Sequence, residues 1–266
     1  MLKDLLKLKL TKNILLVSSG NIFAAGLGFI TLLIITHYLS VEKFGFFNIG
    51  ITTIFVVSII ADMGVDISVI KFISSSLGKN MEEEAKKFFH LGLFIKVITS
   101  LFAAFVLFLT ADMVAIFFFN ERSLSIILKI SAIGIVLRSI YMYIKSVLYA
   151  YEFFKASVIQ QLFIDIFKLL LVIVSVYALT FGTELALGIF ALSPIIGIFI
   201  GYLYLSRVVS FSLWKGQFTE IKELFSYSKW IYLGSICDAM FYYSAIYLLT
   251  FMLSSEAVGV YSLAMN

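Results

Sequence analysis

Three stretches of this chain are long enough to cross a lipid bilayer and contain no Asp, Glu, Lys or Arg: residues 13–36, 44–61 and 185–206. A helix needs ~20 apolar residues to cross the ~30 Å hydrocarbon layer, because each residue adds only ~1.5 Å. Charged residues make up 14% of the chain, whereas soluble domains average about 25%. The sequence therefore predicts a membrane protein built from helices, since a helix satisfies all its backbone groups within one segment.

Other apolar segments extend this pattern along the whole chain. The Pro194 ring lies within the 185–206 span and removes a backbone donor, which predicts a kink there. An eighth apolar segment opens near Glu256 and reaches only Asn266, about half of what a bilayer requires. Further spans, each with internal charges, are predicted at residues 88–110, 124–148, 157–180 and 230–252.

One short pattern occurs twice. Residues 39–50 align with residues 253–264, and both copies lie in a short linker and the start of the apolar run that follows. Six predicted spans separate the two copies, so both cross the membrane in the same direction, which is a parallel repeat about an axis along the membrane normal. The sequence thus predicts an all-α polytopic helical membrane protein: one six-helix bundle plus the first one to two helices of a second, parallel repeat.

The repeat also predicts the domain organisation. Residues 1–210 are expected to form an N-terminal transmembrane bundle of spans one to six. Residues 211–266 are expected to begin a C-terminal bundle with span seven and part of span eight, so that this second bundle is truncated.

Basic residues predict the orientation. With the N-terminus in the cytoplasm, only Lys43 and Arg122 fall on the outer side. The opposite orientation would reverse this asymmetry and violate the positive-inside rule. The basic residues then expected in the cytoplasm are Lys3, Lys7, Lys9, Lys12, Lys71, Lys79, Lys86, Lys87, Lys145, Lys155, Arg207, Lys215, Lys222 and Lys229.

Six ionisable side chains lie within the predicted spans, and each costs at least ~2.5 kcal/mol at the bilayer centre unless it faces protein or water. Lys129 is near an outer end and is expected to snorkel to the surface. Lys96 either snorkels or lines a cavity. Four of the six are cationic and two are acidic, which predicts a net cationic interior suited to an anionic passenger. The six are Lys96, Lys129, Arg138, Asp165, Lys168 and Asp238.

Arg138 is the strongest candidate for contact with that passenger, because its guanidinium matches phosphate oxygens in a bidentate fork. The substrate-cavity candidates are Arg138, Lys168, Lys96, Asn21 and Tyr141, and the ion-coupling candidates, for Na+ or H+, are Asp165 and Asp238. For Asn21 the alternative is a hydrogen bond that joins helices, and for Asp165 and Lys168 it is a salt bridge without a role in transport.

Little in the sequence indicates enzymatic chemistry. The two histidines, His37 and His90, belong to no cluster of metal ligands, and there is no glycine-rich phosphate loop. The turn Asp62–Asp66 is expected to cap or break the second span with solvated carboxylates. The sequence therefore predicts a protein that is not an enzyme, with no metal, no nucleic-acid partner and no cofactor other than a coupling ion.

Four passages resemble the polysaccharide-export flippases of the multidrug/oligosaccharidyl-lipid/polysaccharide exporter superfamily, specifically the Wzx-like flippases of O-antigen and capsule repeat units. They are residues 12–13 at the start of the first span, the linker 38–47, the turn 61–66 and the restart 254–261. This resemblance implies two six-helix bundles around a cavity that opens to one side at a time.

The resemblance also implies a function. The passenger would be an undecaprenyl-diphosphate-linked oligosaccharide, moved across the bacterial cytoplasmic membrane for O-antigen, capsule or exopolysaccharide synthesis. The partners would be this lipid-linked oligosaccharide and membrane lipids, with a polysaccharide polymerase and a chain-length regulator as further candidates. Full members have twelve or more spans, whereas this chain ends inside the eighth. The alternatives are a multidrug exporter that exchanges drug for Na+ or H+, and a non-transporting scaffold subunit of a polysaccharide assembly complex.

Overall fold

The computed structural model describes residues 2–178, 181–210, 218–253 and 255–265. The predicted bundle boundary after residue 210 and the predicted end of the fifth span at residue 180 border on or fall in the gaps between these ranges. The described residues form ten helices: α1 (Leu2–Tyr38), α2 (Val41–Asp62), α3 (Val65–Gly78), α4 (Glu82–Phe117), α5 (Leu124–Ala150), α6 (Phe154–Ala178), α7 (Thr183–Leu192), α8 (Pro194–Leu205), α9 (Phe218–Met252) and α10 (Ser255–Met265).

Seven segments of these helices are long and apolar enough to cross a membrane, and each coincides with a predicted span. The all-α membrane fold predicted from the sequence is therefore confirmed. α7 and α8 together make the sixth span, and α3 follows α2 after a short turn. The eighth predicted segment is α10, which has 11 residues.

The break between α7 and α8 lies where Pro194 predicts a kink. The proline ring cannot donate to the carbonyl of Phe190, one turn earlier. The hydroxyl of Ser193 donates to that carbonyl instead, at 3.0 Å. A side chain thus satisfies the group that proline leaves free, as a helix interruption at membrane depth requires.

A second break separates α2 from α3 at the Asp62–Asp66 turn. Met63 and Gly64 both adopt positive φ angles, of 52° and 74°, which end the first helix. The backbone N–H of Asp66 then donates to Asp62 Oδ1 at 3.2 Å and starts the second helix. Gly64 also lies against the carbonyl of Ser228 on α9, so a Cβ at this position would collide with backbone. The turn places two carboxylates side by side and docks α9 beside them.

α5 is the central helix of the bundle. It packs against α2, α3, α4, α6, α7 and α8, while α1 packs mainly on α6, and α9 lies against α2 and α3. Two clusters of buried side chains stabilise this arrangement, one around Phe47 and Leu128 and the other around Phe89 and Tyr143. These clusters leave the middle of the α5 helix free to carry polar side chains.

Linkers assigned to the same side of the membrane meet in the structure. At the end that the sequence predicts to be cytoplasmic, Lys87 Nζ lies 4.0 Å from Glu220 Oε1 on α9. At the other end, the hydroxyl of Thr183 donates to the carbonyl of Lys43 at 3.3 Å. The alternation of ends that the spans predict is therefore present in the fold.

The two copies of the repeated pattern cross each other where α2 packs on α10. A Cβ at Gly45 would collide with the carbonyl of Ser255, and a Cβ at Gly259 would collide with the carbonyl of Val41. In the alignment of residues 39–50 with 253–264, Gly45 corresponds to Gly259 and Val41 to Ser255. The crossing is therefore reciprocal, as expected for two parallel repeats related by a pseudo-two-fold axis.

Candidate functional site

Two adjoining cavities with different electrostatic character occupy the middle of the bundle, and Arg138 on α5 lines both. One, of about 400 Å³, lies between the α2–α3 turn, α4, α5 and α9; we call it the acidic cavity. The other, of about 330 Å³, lies between α2, α5, α6 and the α7–α8 break; we call it the basic cavity. The charged lining residues are Asp62, Asp66, Lys96, Arg138 and Asp238 in the acidic cavity and Arg138, Lys145 and Lys168 in the basic cavity.

Lys96 forms the floor of the acidic cavity together with two carboxylates. Its side chain is 2% exposed and its Nζ pairs with Asp62 Oδ1 and, at 3.0 Å, with Asp66 Oδ2. Lys96 therefore lines a cavity and does not snorkel. The expectation that the two carboxylates are solvated is wrong, because the helix break turns both of them toward α4.

Asp238 enters the acidic cavity from α9, with Ser235 and Tyr242 on neighbouring turns of the same helix. Among the described residues, Asp238 forms no ion pair, and its side chain is exposed to the cavity. Three carboxylates thus face two cations here. The cationic interior predicted by summing charges does not extend to this cavity, since Asp62 and Asp66 were not counted in that sum.

Arg138 lies at the junction of the two cavities. Its guanidinium carbon is 4.0 Å from the centre of the Phe55 ring on α2, a stacked cation–π contact. Within the part of the chain that the structure describes, no carboxylate forms an ion pair with it. The planar guanidinium is thus held in place by an aromatic ring while its N–H donors remain available to a ligand.

The basic cavity is organised by Gln161 on α6. Its Oε1 accepts hydrogen bonds from the hydroxyl of Tyr141 at 2.5 Å and from Lys145 Nζ at 3.1 Å. Its Nε2 donates to Asp165 Oδ2 at 2.8 Å. Asp165 is buried and also pairs with Lys168 Nζ at 2.6 Å. This network fixes the positions of two lysines around the cavity.

Lys145 is a site residue that the sequence interpretation assigned to a cytoplasmic linker. It lies within α5, seven residues after Arg138 and therefore on the same helix face, and it lines the basic cavity. Its ammonium group has no carboxylate partner among the described residues. The seven-residue spacing from Arg138 already indicated a shared helix face in the sequence, although Lys145 was not included among the cavity candidates.

Two other predicted residues lie outside both cavities. Asn21 is exposed on α1, which packs mainly on α6, and it lines neither cavity. Lys129 pairs with Asp112 at 2.8 Å near the outer end of α5, and both side chains are partly exposed. Of the cations counted in the predicted interior, Lys96 and Lys168 pair with carboxylates, whereas Arg138 and the added Lys145 form no ion pair among the described residues.

The same geometry limits what the site can do chemically. In the described part of the chain, no three His, Cys, Asp or Glu side chains are grouped so as to hold a metal ion. The cavities offer a fixed guanidinium, lysine ammonium groups, carboxylates and hydroxyl groups. This set can bind and orient a polar or charged solute between apolar helices.

The fold matches that of solved membrane transporters. Two solved structures, of the inward-facing and outward-facing conformations of a multidrug resistance MATE family transporter of the MOP superfamily, match this chain with a TM-score of 0.72, at 13% and 16% identity. A MOP superfamily transporter from Pyrococcus furiosus, for which a reversed polarity of the binding pocket has been described, matches with a TM-score of 0.72 at 16% identity. These matches cover 87–96% of this chain and 55–59% of the solved chains.

The sequence defines the family. Residues 10–266 match the polysaccharide biosynthesis protein family, and the chain belongs to it. No curated protein sequence matches the chain significantly. The chain is thus a multi-pass membrane protein with the fold of MOP superfamily transporters, and it spans less than two thirds of the length of the solved transporters it matches.

Proposed function

We propose that the protein translocates undecaprenyl-diphosphate-linked oligosaccharide repeat units across the bacterial cytoplasmic membrane, for O-antigen, capsule or exopolysaccharide synthesis. The observation that carries this proposal is the basic cavity, where Arg138 and Lys145 lack carboxylate partners among the described residues. Uncompensated cations in a membrane interior are costly unless a ligand or water compensates them. A diphosphate supplies that compensation through charge-assisted hydrogen bonds.

The shape of the site supports a headgroup that enters while its lipid tail remains outside. The basic cavity has a volume within the range of small-molecule sites, and apolar residues of α2 and α7 form its other walls. The polyprenyl tail would stay in the bilayer, because the surrounding lipid chains are as apolar as the tail itself. Coupling to H+ or Na+ is assigned to Asp238, which forms no ion pair within the described ranges, in preference to Asp165, which already pairs with Lys168.

The expected orientation places the N-terminus in the cytoplasm. In a Cys237→Ser background, a cysteine introduced by Lys43→Cys should react with a membrane-impermeant thiol reagent in intact cells, because this position is at the outer end of α2. A cysteine introduced by Lys79→Cys, at the end of α3, should react only after the cells are opened. Labelling in the opposite order would reverse the orientation.

A second candidate function is export of a cationic drug. The observation in its favour is the acidic cavity, in which three carboxylates face two cations. Lys96 and Arg138 offset two of the three negative charges, so the excess that a cationic drug would find is a single negative charge.

A reconstitution experiment separates the candidates. The full-length protein in liposomes should move a fluorescent undecaprenyl-diphosphate-linked oligosaccharide from one leaflet to the other, measured as its protection from a membrane-impermeant quencher. It should not accelerate transport of a cationic dye. Dye transport without lipid translocation would establish a drug exporter, and the absence of both would favour the scaffold alternative.

A further inference from the structure

We propose that the acidic cavity is the subsite for the sugar attached to the diphosphate, and that it selects a neutral or amino-bearing sugar over an acidic one. This inference rests on the proposed function, because it assigns the diphosphate to the basic cavity. It adds a binding site for the sugar that is attached to the diphosphate, and it predicts which kind of sugar binds there.

Buried atoms without partners mark the acidic cavity as a place for a polar ligand. The hydroxyls of Ser58 and Ser139 and the Oδ1 of Asp66 are buried and have no hydrogen-bond partner among the residues that the structure describes, and all three residues line this cavity. Both serines are more than nine-tenths buried. Buried polar atoms are nearly always hydrogen-bonded in folded proteins, and a small side-chain movement toward a polar ligand in the cavity would give these three atoms a partner.

The hydrogen-bond donors and acceptors of the acidic cavity are of the types that bind sugar hydroxyls. A carboxylate oxygen only accepts hydrogen bonds, whereas a serine hydroxyl both donates and accepts. A sugar hydroxyl can also donate and accept, so it can form a hydrogen bond either with a serine hydroxyl or with the carboxylate of Asp66. Phosphate oxygens only accept and would face the carboxylate of Asp66 unfavourably. The chemistry of this cavity therefore differs from that of the basic cavity.

Aromatic rings from α9 complete the subsite. Tyr242 and Tyr243 line the cavity, with their ring centres 5.7 Å apart and their planes at 60°. The apolar faces of such rings pack against the C–H groups of a sugar, while the hydroxyl groups of the sugar stay available for hydrogen bonds. Carboxylates, hydroxyls and aromatic faces are thus brought together from α2, α5 and α9.

The position of Arg138 links the two subsites. Because this side chain lines both cavities, a diphosphate bound to it places the next group at the entrance of the acidic cavity. A volume of about 400 Å³ is that of a site for a small headgroup. The excess carboxylate in this cavity would repel a uronic acid and accept a neutral or amino sugar.

Binding measurements on the full-length protein in nanodiscs test the inference with four lipids: undecaprenol, undecaprenyl diphosphate, and undecaprenyl diphosphate carrying either N-acetylglucosamine or glucuronic acid. We expect the diphosphate to bind more tightly than the alcohol. We expect the N-acetylglucosamine lipid to bind about threefold to tenfold more tightly than the sugar-free diphosphate. We expect it to bind at least about tenfold more tightly than the glucuronic acid lipid.

Two variants make the test specific. Asp238→Lys should reverse the preference between the two sugars, because it changes the charge balance of the acidic cavity. Asp112→Lys, an equal change of charge at the outer end of α4 and outside both cavities, should leave the preference unchanged. If both sugar lipids bind as the sugar-free diphosphate does, the cavity holds only water and the inference fails. If the diphosphate binds no better than the alcohol, the proposed function fails instead.

Discussion

Arg138→Ala should reduce translocation of the lipid-linked oligosaccharide more than any other single change in the cavities. Truncating one partner of a buried, hydrogen-bonded charge pair costs about 2–5 kcal/mol. Since about 1.4 kcal/mol corresponds to a factor of ten in affinity, diphosphate binding should weaken by roughly 30-fold or more. The guanidinium is already oriented by Phe55, so the alanine variant loses a preorganised contact.

The effect of Arg138→Ala is measured as the amount of polymer displayed at the cell surface, together with the amount of lipid-linked oligosaccharide that accumulates in the inner leaflet. Arg138→Lys should be intermediate, because an ammonium group keeps the charge but cannot form the bidentate fork. Arg122→Ala provides the matched control, since Arg122 is exposed in the linker between α4 and α5. Normal surface display by Arg138→Ala, at a normal level of protein in the membrane, would remove this residue from the mechanism.

Lys96→Met should have the largest effect on stability. The lysine is 2% exposed and pairs with both Asp62 and Asp66, so its loss leaves two largely buried carboxylates without their paired cation. Removing one partner of a buried ion pair costs about 3–5 kcal/mol. By the scaling for soluble domains of similar size, the melting temperature should fall by about 6–20 °C. Circular dichroism during heating in detergent micelles measures this change.

Two further variants identify the cause of that destabilisation. Lys96→Met combined with Asp62→Asn and Asp66→Asn should recover much of the lost stability, because no unpaired charge then remains in the interior. Lys129→Met removes a cation from the more exposed pair with Asp112 and should cost less than about 1 kcal/mol. Equal losses for Lys96→Met and Lys129→Met would show that burial of the ion pair is unimportant.

Hydropathy was sufficient to place the spans, because a helix in a bilayer must be apolar over its whole length regardless of its neighbours. The α7–α8 break was likewise predictable from Pro194 alone, since the missing donor is a local property of the residue. Features of this kind depend on a few consecutive residues, and the sequence contains all the information that they require.

The charges of the site were predicted less well, because they depend on which helices become neighbours. Lys96 and Asp62 are 34 residues apart, and only the packing of α4 against the α2–α3 turn brings them together. A count of charges by depth therefore assigned Lys96 to a cationic interior and Asp62 to solvent. Asp165 and Lys168 were predictable as a pair because three residues along one helix make them neighbours.

The glycine crossing between α2 and α10 has a consequence for how the duplicated sequence can diverge. Each glycine contacts the main chain of the opposite copy, so a larger residue in either copy forces the same two backbones apart. The restriction at each glycine comes from backbone atoms and so does not depend on which residue occupies the equivalent position in the other copy. A side chain at either position would therefore widen the α2–α10 crossing, so both glycines are expected to resist substitution.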